Sequence, residues 1–322
     1  MPNLTRRALG RAALAVPALS LPAALLPSAA QAAGPGGMAA PGLVEMPLGA
    51  YRITALLDGM APLGRPFFFG PDEGAIDAKL AEMGLGPDLL PAPVTAYLLR
   101  SDDRTILIDA GMGEVDLLGP GFGRVAAALG AAGVAPGDVD TVILTHAHPD
   151  HLGGLVADGA VVFANAELVM AEAEAGFWLD AGMMAQAPTE AQGLFQLAQT
   201  VVEAYSDRVT RVADGAEVAP GVRLILSPGH TPGHAVLRID GGDRQLLMLA
   251  DTLHSADLHT AMPDVGFGFD VDPAAAAHSR RRLFEEAASD GVLIAGSHVH
   301  FPGFGRIQRA GDAFRYAPAS WL

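Results

Sequence analysis

The chain has 322 residues and contains no cysteine. It therefore folds without disulfides, and any metal must be bound by His, Asp or Glu rather than by thiolate. Basic residues are also scarce, since 20 Lys and Arg stand against 36 Asp and Glu and give a formal net charge of −16. This charge argues against nucleic acid or an anionic membrane as the main partner. Half of the residues are hydrophobic and only 17% are charged, so the chain can bury a sizeable core.

The first 32 residues have the three parts of an export signal. Arg6 and Arg7 form a twin-arginine start, an apolar stretch covers 12–27, and Ala30 and Ala32 fit a cleavage site with small residues. A membrane-spanning helix is disfavoured, because three prolines interrupt a stretch that is already short. We expect a signal peptide at 1–32 and a periplasmic or secreted mature protein without a membrane span.

Residues 33–43 are rich in glycine and proline and predict a flexible linker. A single domain is expected over 44–322. The segment 67–91 predicts a surface loop, with a mobile flap near a site as the alternative. Predicted strands are 51–57, the hairpin 95–100 and 105–109, 139–145, 161–163, 221–226, 235–239, 245–250 and 292–295. Predicted helices are 125–133, 167–179, 190–205 and 273–288.

Four candidate metal ligands lie within six residues: His146, His148, Asp150 and His151. They follow the apolar stretch 142–144, which is typical of a buried strand that ends in a loop. Residues i and i+2 share one side near a strand end, so His146 and His148 can bind one ion. Asp150 and His151 can face a second ion, and zinc accepts both residue types. A solvated polar loop is the alternative, disfavoured in a chain with ten histidines.

Three later segments place the same residue types at the ends of predicted strands. They supply His230 and His234, then Asp251, and finally His298 and His300. Each alone is more commonly a hydrogen-bonded structural residue. A carboxylate that directly follows a buried stretch is costly unless it is paired or bound to metal. Four strand ends with ligand types therefore predict a site for two metal ions.

The chain resembles the metallo-β-lactamase-fold hydrolases. The matching residues are 107–111 (LIDAG), 146–151 (HxHxDH), 229–234 (GHTPGH), Asp251 and His298. Within that superfamily it is most similar to methyl parathion hydrolase and its lactonase relatives. The residues behind this narrower likeness are 173–180 (AEAGFWLD) and 297–305 (SHVHFPGFG). The resemblance implies an α/β protein built as an αββα four-layer sandwich, with the site at one edge between the two sheets, and a homodimer.

The resemblance also implies a ligand set for two divalent ions, with zinc expected. His146, His148 and His234 would hold one ion, Asp150, His151 and His298 the other, and Asp251 would bridge them. His300 competes with His298 for the last place, because both follow the same strand. His298 is favoured, since it precedes the Phe-Pro-Gly element at the family's spacing.

The other histidines receive lesser roles. His230 and His254 are expected to support the ligands or to form turns, and His300 to support them where it is not a ligand. His259 and His278 are expected to be ordinary surface or packing residues.

The expected reaction is hydrolysis by a water-derived nucleophile. Two ions about 3.5–4 Å apart can share a water and lower its pKa, so that a metal-bridging hydroxide attacks a carbonyl carbon or a phosphorus. Asp150 and Asp251 are the predicted catalytic carboxylates, with Asp150 able to accept a proton. The chain has no GxSxG motif and no cysteine, so a Ser or Cys nucleophile is not expected.

Aromatic residues are candidates for the walls of a substrate pocket. They are Phe122, Phe177, Trp178, Phe195 and Phe267. Burial of Phe177 or Trp178 in the core is an equal alternative. Such a pocket suits a neutral small molecule, namely a lactone, an aryl ester or an organophosphate triester such as methyl parathion.

Three other functions remain open. A β-lactamase or a glyoxalase-II-like thioesterase would use the same ligands. A mononuclear iron oxygenase would consume oxygen and tolerate His298→Ala. A non-catalytic metal-binding or adhesive protein would hydrolyse no substrate when fully metallated.

Overall fold

The computed structural model describes residues 42–84 and 90–319. The predicted signal peptide and most of the predicted linker lie outside these residues. Leu43, the last residue of that linker, already begins the first strand. No helix within 42–84 and 90–319 is long and apolar enough to cross a membrane.

Eighteen strands occur in the described part of the chain. They are β1 (Leu43–Leu48), β2 (Tyr51–Leu63), β3 (Phe68–Phe69), β4 (Leu90–Arg100), β5 (Thr105–Ile108), β6 (Thr141–Leu144), β7 (Val156–Ala157), β8 (Ala160–Val161), β9 (Glu167–Ala171), β10 (Val209–Val212), β11 (Glu217–Ala219), β12 (Val222–Leu226), β13 (Ala235–Asp240), β14 (Gln245–Met248), β15 (Gly266–Phe267), β16 (Leu293–Ala295), β17 (Gly305–Ala310) and β18 (Ala313–Pro318).

Eight α-helices accompany them in the same residues. They are α1 (Glu73–Glu82), α2 (Val125–Ala131), α3 (Pro149–Leu152), α4 (Glu172–Trp178), α5 (Ala181–Gln186), α6 (Thr189–Tyr205), α7 (Ala256–Ala261) and α8 (Pro273–Asp290).

Two seven-stranded sheets form the centre of the molecule. The first has the order β1-β2-β4-β5-β6-β9-β10, and the second has the order β11-β12-β13-β14-β16-β17-β18. The β5–β6, β6–β9 and β9–β10 pairs are parallel in the first sheet, and β14–β16 is parallel in the second. Each sheet therefore has a region in which neighbouring strands end at the same edge.

Three apolar layers show how the sheets and helices stack. Between the sheets, Ile143 of the first packs in one cluster with Leu237 of the second. On the outer face of the first sheet, Leu107 packs with Leu129 of α2. On the outer face of the second sheet, Leu247 packs with Phe284 of α8. The order is helix, sheet, sheet, helix, which confirms the predicted αββα sandwich.

The local predictions are confirmed except in a few segments. The 67–91 segment was predicted as a loop, but it contains α1, whose first turn is capped by the Asp72 carboxylate through the backbone N–H of Ala75. The predicted helix at 167–179 is wrong in its first part, because 167–171 form β9 and only 172–178 are helical. β9 pairs with both β6 and β10, so partners distant in sequence decide its conformation.

The candidate ligands follow β6, β12, β14 and β16, and the two sheets are joined at this edge. The backbone N–H of Ala235 donates to the Thr145 carbonyl at 3.0 Å, and that of Thr95 donates to the Ser297 carbonyl at 3.1 Å. Tyr97 of β4 adds a third link, because its buried hydroxyl donates to the Gly296 carbonyl at 2.9 Å. These bonds hold the loop that carries His298 against the first sheet.

The buried carboxylate of Asp58 fixes a glycine-rich loop at the same edge. It accepts hydrogen bonds from the backbone N–H of Met112 at 2.9 Å and of Arg124 at 2.6 Å. These two residues flank the loop 113–123, which is thereby closed at its base. The loop carries Leu117, which is 52% exposed, and Leu118 towards the candidate site.

Replacing Tyr97 by Phe removes the hydroxyl and leaves the Gly296 carbonyl without this donor. We expect the free energy of unfolding to fall by about 1–2 kcal/mol. Urea denaturation of wild type and variant measures the difference. Equal midpoints and slopes would contradict the importance of this link between the sheets.

Candidate metal centre

The histidine run forms the first wall of the site. After β6 the chain turns through His146 and His148 into α3, where Pro149 occupies the first helical turn. His146, His148 and His151 are at most 8% exposed, and Asp150 is partly exposed. The short helix changes the direction of the chain and brings the ring centroid of His151 to 4.0 Å from that of His146.

Three imidazole nitrogens meet on one side of the site. Nε2 of His146 lies 3.1 Å from Nδ1 of His148, which in turn lies 2.9 Å from Nε2 of His230. His230 comes from the loop between β12 and β13 and is 3% exposed. The sequence predicts His230 beside the ligands, whereas the structure places it among the candidate donors themselves.

A second group forms around His151. Its Nε2 lies 3.6 Å from an oxygen of Asp150 and 3.3 Å from Oδ1 of Asp251. Nε2 of His298 lies 3.5 Å from Asp150 and 3.0 Å from Oδ2 of Asp251. The predicted second set of ligands is therefore gathered in one place.

Asp251 lies between the two groups. Its Oδ2 is 3.7 Å from Nε2 of His146 and 3.4 Å from Nε2 of His230, in addition to its contacts with His151 and His298. It is 2% exposed and lies in a short 3-10 turn, three residues after the end of β14. This is the position that a bridging carboxylate needs.

Two further imidazoles border Asp251. Nε2 of His234 lies 3.1 Å from the backbone nitrogen of Asp251, and its ring centroid is 5.2 Å from that of His146. Nε2 of His254 lies 3.1 Å from Oδ2 of Asp251. His254 is thus a further candidate donor, although the sequence predicted only a supporting role.

The protein holds most of these rings by the nitrogen that faces away from the cluster. The partners are Asp109 for His151 (2.8 Å), the Pro93 carbonyl for His298 (2.8 Å), Asp270 for His230 (2.9 Å), the Ser227 carbonyl for His234 (3.0 Å) and the Thr145 hydroxyl for His146 (3.1 Å). Such bonds fix the ring orientation and the tautomer of metal-binding histidines. The other nitrogen of His146, His151, His230 and His298 faces the cluster, whereas Nε2 of His234, a predicted ligand, accepts the backbone N–H of Asp251 and lies outside the groups of candidate donors.

Burial sets the charge of the first group. Loss of solvent is the largest cause that lowers the pKa of His146, His148 and His230 well below the ordinary value. It also lowers the pKa of His234 to about 4. These rings are therefore neutral at pH 7, which is the form that binds a metal ion.

Carboxylates reverse this effect in the second group. Burial alone would lower the pKa of His151, but Asp251, Asp150 and Asp109 raise it well above the ordinary value. Burial would raise the pKa of Asp251, but the neighbouring His151 and His298 hold it well below its usual range. Protons on His151 and His298 thus supply the positive charge that a metal ion would otherwise bring to these carboxylates.

The donor set fits divalent cations. Nε2 of His151 and Oδ1 of Asp251 are buried without a hydrogen-bond partner, although they lie 3.3 Å apart. Neutral imidazole nitrogens stand about 3 Å from one another, and a shared cation would satisfy them together. Imidazole and carboxylate donors suit zinc, and they also accept manganese, cobalt or iron.

An apolar cavity opens onto the cluster. His148, Asp150, Asp251 and His298 line it together with Leu118, Leu194, Phe267 and Phe269. Phe267, a predicted pocket residue, lines this cavity and stacks on His254 with the ring centroids 3.7 Å apart. Phe269 was not predicted, because nothing in the sequence of the turn after β15 indicates that this side chain faces the site.

A second apolar cavity adjoins the first through His148, Leu194 and Phe269. Phe177, Trp178 and Phe195, three of the candidates for the substrate pocket, line this second cavity. Trp178 and Phe195 are also 2% and 3% exposed, so both alternatives for Trp178, core and pocket wall, hold at once. Phe122 was predicted to line the pocket but lines neither of these two cavities. It packs instead beside Gly59, where an added Cβ would meet its ring at 2.4 Å.

His300 is not among the ligands or their supports, which corrects its predicted role. Its side chain is 60% exposed and pairs with Asp257 at 2.7 Å. The turn after β16 sends His298 inwards and His300 outwards, because the chain no longer follows strand geometry there. His278 is exposed, and His259 is buried beside Phe68, as expected for surface and packing residues.

Two buried carboxylates at the site were missed as functional candidates. Asp270 holds His230, and Glu174 lies behind the two histidine loops. Glu174 falls within the AEAGFWLD motif, which indicated the family likeness but did not indicate a function for Glu174 itself. Asp270 follows no recognisable pattern, and its pairing with His230 spans 40 residues.

Both this site and a match to a family model show the family to which the chain belongs. The model of the metallo-beta-lactamase superfamily matches residues 89–298, which is more than half of the chain. The chain therefore belongs to the metallo-beta-lactamase superfamily, as its motifs predicted, and it is a metal-dependent hydrolase.

Within this superfamily the chain is similar to particular lactonases and hydrolases. The N-acyl homoserine lactonase AiiA of Bacillus thuringiensis subsp. kurstaki is 28% identical over 254 residues, which cover 72% of this chain and 92% of the relative. The crystal structure of the hydrolase AbOPH matches with a TM-score of 0.82 and 29% identity over 87% of this chain and 98% of that one. AidC, a dizinc quorum-quenching lactonase solved with a product, matches with a TM-score of 0.79 and 25% identity over 88% and 99%.

Metal binding should become tighter as the pH rises. In the apoprotein the raised pKa of His151 keeps a proton on the ring at neutral pH, and an ion must displace it. The affinity for Zn²⁺ is therefore expected to increase between pH 6 and pH 8, by up to about tenfold per pH unit for each proton displaced. Chelator competition at several pH values measures this. A constant affinity over that range would contradict the protonation assigned to the second group.

Proposed function

We propose that this protein is a dinuclear zinc hydrolase of ester-type bonds, with lactones and aryl esters as its main substrates. One observation carries the proposal: two groups of buried imidazole and carboxylate donors share Asp251 and open into an apolar cavity. Two zinc ions held there would supply a bridging hydroxide and polarise the substrate oxygen.

The residues divide the work of binding and proton transfer. Asp251 contacts both donor groups and so fixes their separation. Asp150 is partly exposed and lines the cavity beside His298, where its carboxylate can accept a proton from the attacking water and return it to the leaving oxygen. Asp109 holds Nδ1 of His151, so that Nε2 remains directed at the cluster.

The cavity walls support a neutral substrate with an apolar part. Leu118, Leu194 and Phe267 surround the donors, and the adjoining cavity is lined by Trp178 and Phe195. A lactone or ester head at the donors would leave an acyl or aryl group in contact with these side chains. The likeness to N-acyl homoserine lactonases favours a lactone.

Phosphotriester cleavage is a second proposed activity. The apolar aromatic walls around Phe267 and Phe269 suit the aryl group of a triester such as methyl parathion, and metal ions held by the same donors would supply the Lewis acid that polarises the phosphoryl oxygen. Assembly as a homodimer is proposed from the family resemblance. Export to the periplasm is proposed from the twin-arginine pattern and cleavage signal in residues 1–32.

A substrate panel tests the proposal. Purified zinc-loaded protein should hydrolyse an N-acyl homoserine lactone and an aryl ester faster than a phosphotriester, a β-lactam or a glutathione thioester. Rapid turnover of the β-lactam or thioester with none of the lactone or ester would overturn the choice of substrate. No hydrolysis of any member by fully metallated protein would indicate a metal-binding protein without this activity.

Replacing Asp251 by Asn removes the charge that the two donor groups share. We expect kcat for the best lactone to fall roughly 100-fold or more, because stabilisation by the metal site is worth several kcal/mol. Asp257→Asn is the matched control. Asp257 lies in the neighbouring segment 254–260, and among the contacts described its carboxylate pairs only with the exposed His300. Unchanged turnover in Asp251→Asn would refute the shared carboxylate.

A further inference from the structure

We infer that Glu174 is a positioning residue that fixes the two histidine-bearing loops of the metal centre against each other. The inference rests on the proposed function, because it concerns the same metal centre. Glu174 lies on α4, is 0% exposed and is not a candidate ligand. Both of its carboxylate oxygens are used, each by a different part of the site.

Oxygen Oε1 holds the first loop. It accepts a hydrogen bond from the backbone N–H of Ala147 at 2.8 Å. Ala147 stands between His146 and His148, so this bond fixes the peptide from which both side chains project. The same oxygen accepts from Nε1 of Trp178 at 2.7 Å, which joins the wall of the second cavity to the loop.

Oxygen Oε2 holds the second loop. It accepts from the hydroxyl of Thr231 at 2.6 Å and from the backbone N–H of Gly233 at 3.0 Å. Thr231 directly follows His230, and Gly233 directly precedes His234. Gly233 is also packed against α4, since a Cβ there would lie 2.0 Å from the backbone nitrogen of Glu174.

One carboxylate thus sets the distance between two loops that are more than 80 residues apart in sequence. Hydrogen bonds to a charged acceptor are stronger than neutral ones, and four donors converge on this one. Supports of this kind behind metal ligands are worth about 10–100-fold in metal affinity. A residue with only a structural role would affect unfolding, whereas a positioning residue also affects the folded site.

Glu174→Gln separates these roles. The amide keeps the shape of the side chain but replaces one acceptor oxygen by an NH₂ group, which then faces two donors. We expect the dissociation constant for Zn²⁺, measured by chelator competition on folded protein, to rise about 10–100-fold. We also expect kcat for the best lactone to fall more than KM changes, because the ligands rather than the substrate walls are displaced.

Glu172→Gln is the matched control, because Glu172 is exposed on the same helix. It should retain wild-type affinity for Zn²⁺. Thr231→Val removes one of the four donors while keeping the carboxylate and the side-chain shape, and it should weaken Zn²⁺ binding less than Glu174→Gln does. Near-UV circular dichroism verifies that each variant is folded before metal binding is measured.

The outcomes are distinct. Folded Glu174→Gln with wild-type Zn²⁺ affinity would overturn the inference, even when its melting temperature is lower. If Glu174→Gln does not fold, Thr231→Val decides: weaker Zn²⁺ binding supports the inference, and unchanged binding overturns it. Absence of Zn²⁺ binding in the wild type would instead refute the proposed function, so the two failures can be told apart.

Discussion

Seven imidazoles are buried around the single carboxylate of Asp251, and this crowding is the constraint on which the site depends. Buried polar groups are costly unless they are paired. The fold meets part of that cost by holding the outward nitrogens with Asp109, Asp270 and backbone carbonyls. Nε2 of His151 and Oδ1 of Asp251 remain buried without a hydrogen-bond partner, and a cation would satisfy both. The four-layer sandwich matters for function because it brings the four ligand-bearing loops to one edge.

The sequence predicted this edge well, because its signal is local. Each ligand loop follows a short apolar strand, and the HxHxDH and GHTPGH patterns fix the spacing of donors within a loop. The histidine run after β6 and the placement of Asp251 and His298 agree with the structure for this reason. The αββα order followed from the resemblance rather than from strand patterns alone.

What the sequence could not predict depends on contacts between distant segments. Asp270 meets His230, and Glu174 meets Ala147 and Gly233, only after the sheets have packed. The inward place of His230 follows from the same packing. His300 was predicted near the ligands but is exposed. It lies in a turn rather than in a strand, so the alternation of side chains along a strand does not apply to it. The local sequence predicts a helix where β9 forms, because the pairing of β9 with β6 and β10 leaves no local signal.

The most direct test of the account is the metal content of active protein. Elemental analysis of the purified protein, together with lactone turnover during stepwise removal and restoration of Zn²⁺, measures how many ions activity requires. We expect two divalent ions per polypeptide and loss of turnover when either is removed. Full activity with one ion or none would contradict it.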